Sequence, residues 1–118
     1  MDKIGSERIA AHCTGREWGK KDKEPDESIM GPGDWKTRDG LPEAGTFKDI
    51  VVLRPALFVG EECRAEKEPK GKNDPYRVSV EELGGAYTIS RKDVAHFIVE
   101  GLLPRWDEYK GKCVSIAY

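Results

Sequence analysis

The stretch DIVVLRPALFVGEE, residues 49–62, opens as a run of β-branched and aliphatic residues and meets Arg54 and Pro55 before its apolar character is spent. Ile50, Val51, Val52 and Leu53 carry no polar alternation, which predicts a strand over 49–54 buried on both faces, as in a parallel sheet covered by helices. Proline fixes φ and has no N–H, so Pro55 marks the end of that strand. The backbone groups of Ala56, Leu57 and Phe58 can then turn toward a ligand.

Downstream, residues 61–75 are charged and bear Pro and Gly, the composition of a surface loop. YRVSV (76–80) alternates as a short strand, and GGAYTIS (84–90) follows its glycine turn as another. Ser90 opens the best helix: its hydroxyl can accept from the Asp93 amide while the Asp93 carboxylate reaches back, a variant of the capping box. Val94, Phe97, Ile98, Gly101 and Leu102 follow at helical spacing, and Pro104 ends the pattern. RWDEYKGK (105–112) reads as a connection and CVSIAY (113–118) as an alternating strand.

Upstream, DKIGSERIAAHC (2–13) suits a short amphipathic helix, with Ile4, Arg8 and Ala11 on one side and Ile9, Ala10 and Cys13 beside it. Gly15 is placed to end it. Residues 14–47 show no convincing period and are long for a loop in a compact domain. Their turn sequences IMGPGDW and DGLP carry anchoring hydrophobes, and disordered tracts are usually poor in tryptophan, so an ordered irregular excursion is expected. The order is helix, excursion, strand, loop, two short strands, helix, strand. This is an α/β alternation whose strands lack a covering helix on one face, and it predicts a single incomplete domain over 1–118.

Of 118 residues, 37% are hydrophobic and 36% charged, well above the roughly 25% charged of an ordinary domain, so the core must be concentrated in few segments. Twenty basic residues nearly cancel 22 acidic ones, leaving −2, a balance that gives no reason to expect a nucleic-acid or membrane partner. Three scattered cysteines, Cys13, Cys63 and Cys113, do not form a disulfide framework. With no signal-like apolar run near Met1, the cytoplasm is the expected compartment.

Residue chemistry alone names no site. GPGDWKTRDG neither follows a strand nor opens a helix, so it is not a phosphate-cradling turn. His12 and Cys13 are adjacent and point about 100° apart on a helix, and His96 is distant, so no metal site is expected. Asp93 is accounted for by capping, and Glu61 with Glu62 by a charged loop.

Three stretches together, LRPALFVGE, YTISRKDVAHFIVEGL and the final VSIAY, resemble the C-terminal half of atypical and extended short-chain dehydrogenase/reductase proteins. That NAD(P)-binding Rossmann group includes NmrA-like regulators. AHC followed by Gly15-x-x-Trp18, and GPGDWK, are similar to stretches of fungal NAD(P)-binding proteins. The resemblance implies a partial Rossmann-like fold, the C-terminal portion of a doubly wound parallel sheet. It further implies NAD(P) as cofactor, a small-molecule substrate, and hydride transfer if an N-terminal half completes the site.

The family's catalytic helix carries a tyrosine, a lysine four residues later, and often a glutamate four beyond that. Lys3 and Glu7 match the latter part, which makes Lys3 the catalytic candidate; the two also suit an ordinary exposed i, i+4 pair. The tyrosine would fall before Met1, and the family's glycine-rich turn belongs to a half of which these residues have nothing, so the chain alone is expected to be inactive and a poor NAD(P) binder. In such proteins the residues after Arg-Pro run over the nicotinamide, which makes Pro55, Ala56, Leu57 and Phe58 the cofactor-binding candidates. Two other readings stay open: a non-catalytic NmrA-like cofactor sensor, and an interaction module that self-associates through an exposed sheet edge.

Overall fold

A computed structural model describes residues 3–19, 23–67 and 74–118. Asp2, at the start of the first predicted helix, residues 20–22 of the predicted excursion and residues 68–73 of the predicted loop lie outside the described residues. Where a single domain over 1–118 is expected, the chain divides into two compact units, Met1–Ile50 and Val51–Tyr118.

The first unit is built on helix α1, Lys3–Cys13. Its end is a Schellman motif: the Gly15 N–H donates to the His12 carbonyl (3.0 Å) and the Arg16 N–H to that of Ala11 (2.9 Å). Gly15 takes φ +67°, and an added Cβ there would lie 3.2 Å from the Gly45 Cα. The buried face of α1 is not the one its isoleucines suggest. Gly5, Ala11 and Cys13 are buried while Ile4 and Ile9 are exposed, because small residues let the excursion approach the helix closely.

That excursion is ordered by local caps. Asp26 accepts from the Ser28 amide to start α2, Glu27–Met30, and bonding from the Ser28 side chain and amide holds its carboxyl below the ordinary value. Asp34 accepts from the Lys36 amide to start a 3-10 turn, Trp35–Thr37. Met30 and Trp35 are buried. The Arg8 guanidinium lies 5.5 Å from the Trp18 ring and 5.1 Å from the Trp35 ring, and its Nε donates to Glu24 at 2.8 Å.

The second unit holds the sheets. Strand β1, Val52–Pro55, pairs in parallel with β5, Cys113–Ala117, in the register Val52 with Cys113 to Pro55 with Ile116. Strand β3, Arg77–Ser79, pairs antiparallel with the other side of β5, giving the order β1-β5-β3. Strands β2, Leu57–Phe58, and β4, Thr88–Ile89, form a separate parallel pair. Parallel neighbours need a long crossover, and the chain between β1 and β5 supplies it with α3, Arg64–Lys67, α4, Arg91–His96, and α5, Trp106–Tyr109. The result is a mixed α/β fold with a small mixed sheet.

Two sequence expectations are corrected here. The strand predicted at 49–54 is shifted to Val52–Pro55 and only half-buried, with Arg54 exposed, because β1 is an edge strand and β5 is the central one. Nor does Pro55 end the extended chain. The Val52 and Ala56 amides donate to the Lys112 and Ile116 carbonyls, so alternation points the position-55 nitrogen away from β5, where a missing N–H leaves no ladder bond unmade. Beyond it the Leu57 and Val59 amides donate to Tyr87 and Ile89 carbonyls. Pro55 marks the point where one edge strand changes partners.

Ser90 caps α4 as expected, accepting from the Asp93 amide at 3.0 Å. The helix then widens into a π segment, Phe97–Leu102, and the Leu103 N–H donates to the Ile98 carbonyl at 3.0 Å. Phe97 and Leu102, at the two ends of this widened segment, both reach the core. Gly101 is required there: a Cβ would lie 2.6 Å from the Phe97 ring. Ile89, Val94, Phe97, Leu102, Val114 and Ile116 form that core. The predicted connection 105–112 contains the short helix α5, with the Arg105 Nε donating to the Gly101 carbonyl at 3.1 Å. No helix of the described residues is long and apolar enough to cross a membrane.

Candidate functional site

The alternation in β5 sends Val114 and Ile116 into the core and leaves Ser115 half-buried beside β1. A cleft of about 250 Å³ opens where β1 passes into β2, lined by Pro55, Ala56, Ser115, Ile116, Leu83 and Ala86, with Arg54 and Glu82 at its polar side. Its outer wall is held by Arg77. That guanidinium donates to the carbonyls of Gly84 (2.9 Å), Gly85 (3.3 Å) and Tyr118 (2.7 Å), tying the glycine turn to the end of β5. Without those bonds Leu83 and Ala86 would have only a flexible Gly-Gly turn to position them.

Of the sequence-derived candidates, Pro55 and Ala56 line this cleft together. Leu57 and Phe58 are carried into β2. Leu57 is 72% exposed, and the Phe58 ring lies under the Arg91 guanidinium at 4.8 Å. The expectation that the Ala56 and Leu57 amides turn to a ligand is not met, since both are spent on Ile116 and Tyr87 carbonyls. What remains to face a ligand at 55–56 is side-chain surface. Lys3 opens α1 in the first unit and is exposed. Leu83, Ala86 and Ser115 were not legible as site residues: the Gly84-Gly85 turn is a sequence signal for a bend, not for what the bend covers.

Close in sequence to β4, Asp93 is fully buried and accepts far more than a cap requires. Its Oδ2 takes the Tyr118 hydroxyl (2.6 Å), the Ser90 hydroxyl (3.1 Å) and the Arg64 amide (3.1 Å); its Oδ1 takes the Ala65 amide (3.0 Å) and the Cys63 thiol (3.4 Å). Burial pushes this carboxyl up, but the bonds from Tyr118, Ala65, Arg64 and Cys63 outweigh it and hold it below its ordinary value. The carboxylate is therefore ionised and fully engaged. It ties α3, α4 and the last residue of the chain together, and the Arg64 guanidinium lies 3.5 Å from the Tyr118 ring centre. Burial likewise pushes the Cys63 thiol up, which leaves it a poor nucleophile.

Comparison with known proteins gives one informative match. Over 80 residues the chain is 36% identical to reductase pytE of Aspergillus terreus, a region covering 65% of this chain and 29% of that protein. The chain is thus similar to a fungal reductase, and the aligned part spans less than a third of the reductase's length. No family model and no solved structure matches.

Proposed function

We propose that this chain forms the substrate-side wall of an NAD(P)-dependent reductase-type site, within a Rossmann-like arrangement of which the parallel β1 and β5 strands are part. The observation that carries this reading is the cleft at the carboxyl-end residues of a parallel strand pair, where open α/β sheets bind their ligands, in a chain similar to a reductase. Its volume of about 250 Å³ lies below the usual range for a whole ligand site, so it suits one ring and not a dinucleotide. Pro55, Ala56 and Leu83 would hold the apolar faces of that ring, and the Ser115 hydroxyl would supply one polar contact. The whole protein's hydride transfer, and any part of Lys3 in it, belong to the same proposal. Nothing in the geometry favours the cofactor-sensing reading over it.

The test is an amide NMR titration of the chain with NADPH and, separately, with reduced nicotinamide mononucleotide. Both are expected to shift the Ala56, Ala86 and Ser115 amides with similar affinities near the millimolar level, on the order of −4 kcal/mol, because only the nicotinamide end is held. Shifts confined to other residues would refute the site. Micromolar binding of NADPH, far tighter than of the mononucleotide, would refute its limitation to one ring.

A further inference from the structure

A second cleft of the same unit, of about 530 Å³, lies between β3 and the π segment and shares none of its lining with the first. Its aromatic floor is continuous. The Tyr76 and Phe97 rings meet edge to face at 6.2 Å, and the Phe97 and Tyr109 rings at 5.7 Å. The Phe97 ring is buried in the core beneath, so a flat ring would meet the half-buried Tyr76 and Tyr109 in the offset or edge geometries that aromatic groups prefer.

The rim carries matched polar groups. The Tyr76 hydroxyl lies 2.7 Å from His96 Nδ1. Burial, with the nearby Asp93 charge, pushes the Tyr76 phenol up to about 12, so it keeps its proton. His96 lines the cleft beside it. Arg105 also lines the cleft, anchored through its Nε on the Gly101 carbonyl, and its Nη1 makes only a long, exposed pair with Glu108 at 4.0 Å that an incoming carboxylate can displace. The carboxylates of Asp74 and Glu100 stand on the same rim and would repel a multiply charged anion.

One wall is the π segment itself, where Phe97, Glu100 and Gly101 are presented by a rare widened helical turn of the kind frequent at functional sites. We propose that this cleft binds a flat aromatic ring bearing a single carboxylate, with the ring against Tyr76 and Tyr109 and the carboxylate on the Arg105 guanidinium. The inference does not rest on the reductase reading.

Benzoate titrated into the ¹⁵N-labelled chain is the direct test. Saturable shifts of the Val78, Glu100 and Gly101 amides are expected, with a dissociation constant on the order of 1 mM. Cyclohexanecarboxylate, which lacks a π face, is expected to bind roughly fivefold more weakly, and inorganic phosphate about tenfold. Arg105→Gln should weaken benzoate about tenfold, whereas Glu100→Gln should tighten it about threefold by removing an opposing charge, a gain that misfolding cannot mimic. Absence of shifts at about 20 mM benzoate, equal affinity for cyclohexanecarboxylate or phosphate, or unchanged affinity in both variants would overturn the proposal.

Discussion

Replacing Asp93 by Asn probes the most demanding cluster in the second unit. Five donors converge on this fully buried carboxylate, two of them backbone amides that cannot rotate away. Asparagine keeps the shape but turns one of the two oxygens into an NH₂ group. Whichever way the amide flips, that NH₂ faces either the Arg64 or the Ala65 N–H, and one buried amide is left unsatisfied, at about 1–3 kcal/mol. The Tyr118 and Ser90 hydroxyls can rotate to accept, but their charge-assisted bonds become neutral ones, roughly half as strong. Together these losses amount to about 3 kcal/mol. With a urea slope of about 1.5 kcal/mol/M for a unit of this size, the midpoint for unfolding should fall by about 2 M at pH 7.

The same variant tests the charge. The folded carboxyl titrates below its ordinary value of 3.8, so its contribution is fully present above about pH 4 and is lost as pH falls through the lower, folded value. The gap between the parent chain and Asp93→Asn should therefore narrow in acid. A midpoint change under about 0.3 M at pH 7, or a gap that widens below pH 4, would refute the reasoning.

Three further outcomes are expected. Gly101→Ala places a Cβ 2.6 Å from the Phe97 ring and should destabilise the second unit by about 1–3 kcal/mol, seen as a lower thermal midpoint. Arg77→Met releases the Gly84 and Gly85 carbonyls, so hydrogen exchange at residues 84–87 should accelerate about tenfold while the core amides of β5 keep their protection. Trp18→Phe removes an indole N–H that is buried without a partner among the described residues, and the lost ring area is offset by that relief; its urea midpoint should stay within about 0.5 M of the parent.

Much of the local structure was legible because its causes lie within a few residues. Ser90 and Asp93 share one turn, so their capping follows from spacing, and Gly15 ends α1 through bonds to residues only three and five positions back. The alternation of CVSIAY likewise holds for β5, since period two needs only strand geometry. The candidate site was legible to a lesser degree. Pro55 and Ala56 stand at the cleft, but for their side-chain surface and not for the freed amides that the proline had suggested.

The π segment was hidden because Phe97, Ile98, Gly101 and Leu102 fit an ordinary helix equally well by spacing. The wider turn shows itself only in the backbone bonding, with the Leu103 N–H reaching back five residues to Ile98, and in the packing that buries Phe97, Gly101 and Leu102 together. The same holds for the unit's two polar centres. Tyr76 meets His96 across 20 residues, and Asp93 meets Tyr118 across 25 and Ala65 across 28, separations over which no periodicity carries information.

By itself, then, the sequence determined where helices are capped, where strands alternate and that charge would crowd the surface, because those are properties of neighbouring side chains. Only the tertiary structure decided that β5, not the greasier β1, is the central strand, since centrality depends on which strand has partners on both sides. That placement makes Pro55 tolerable at an edge and turns an apparent strand terminator into a change of partner.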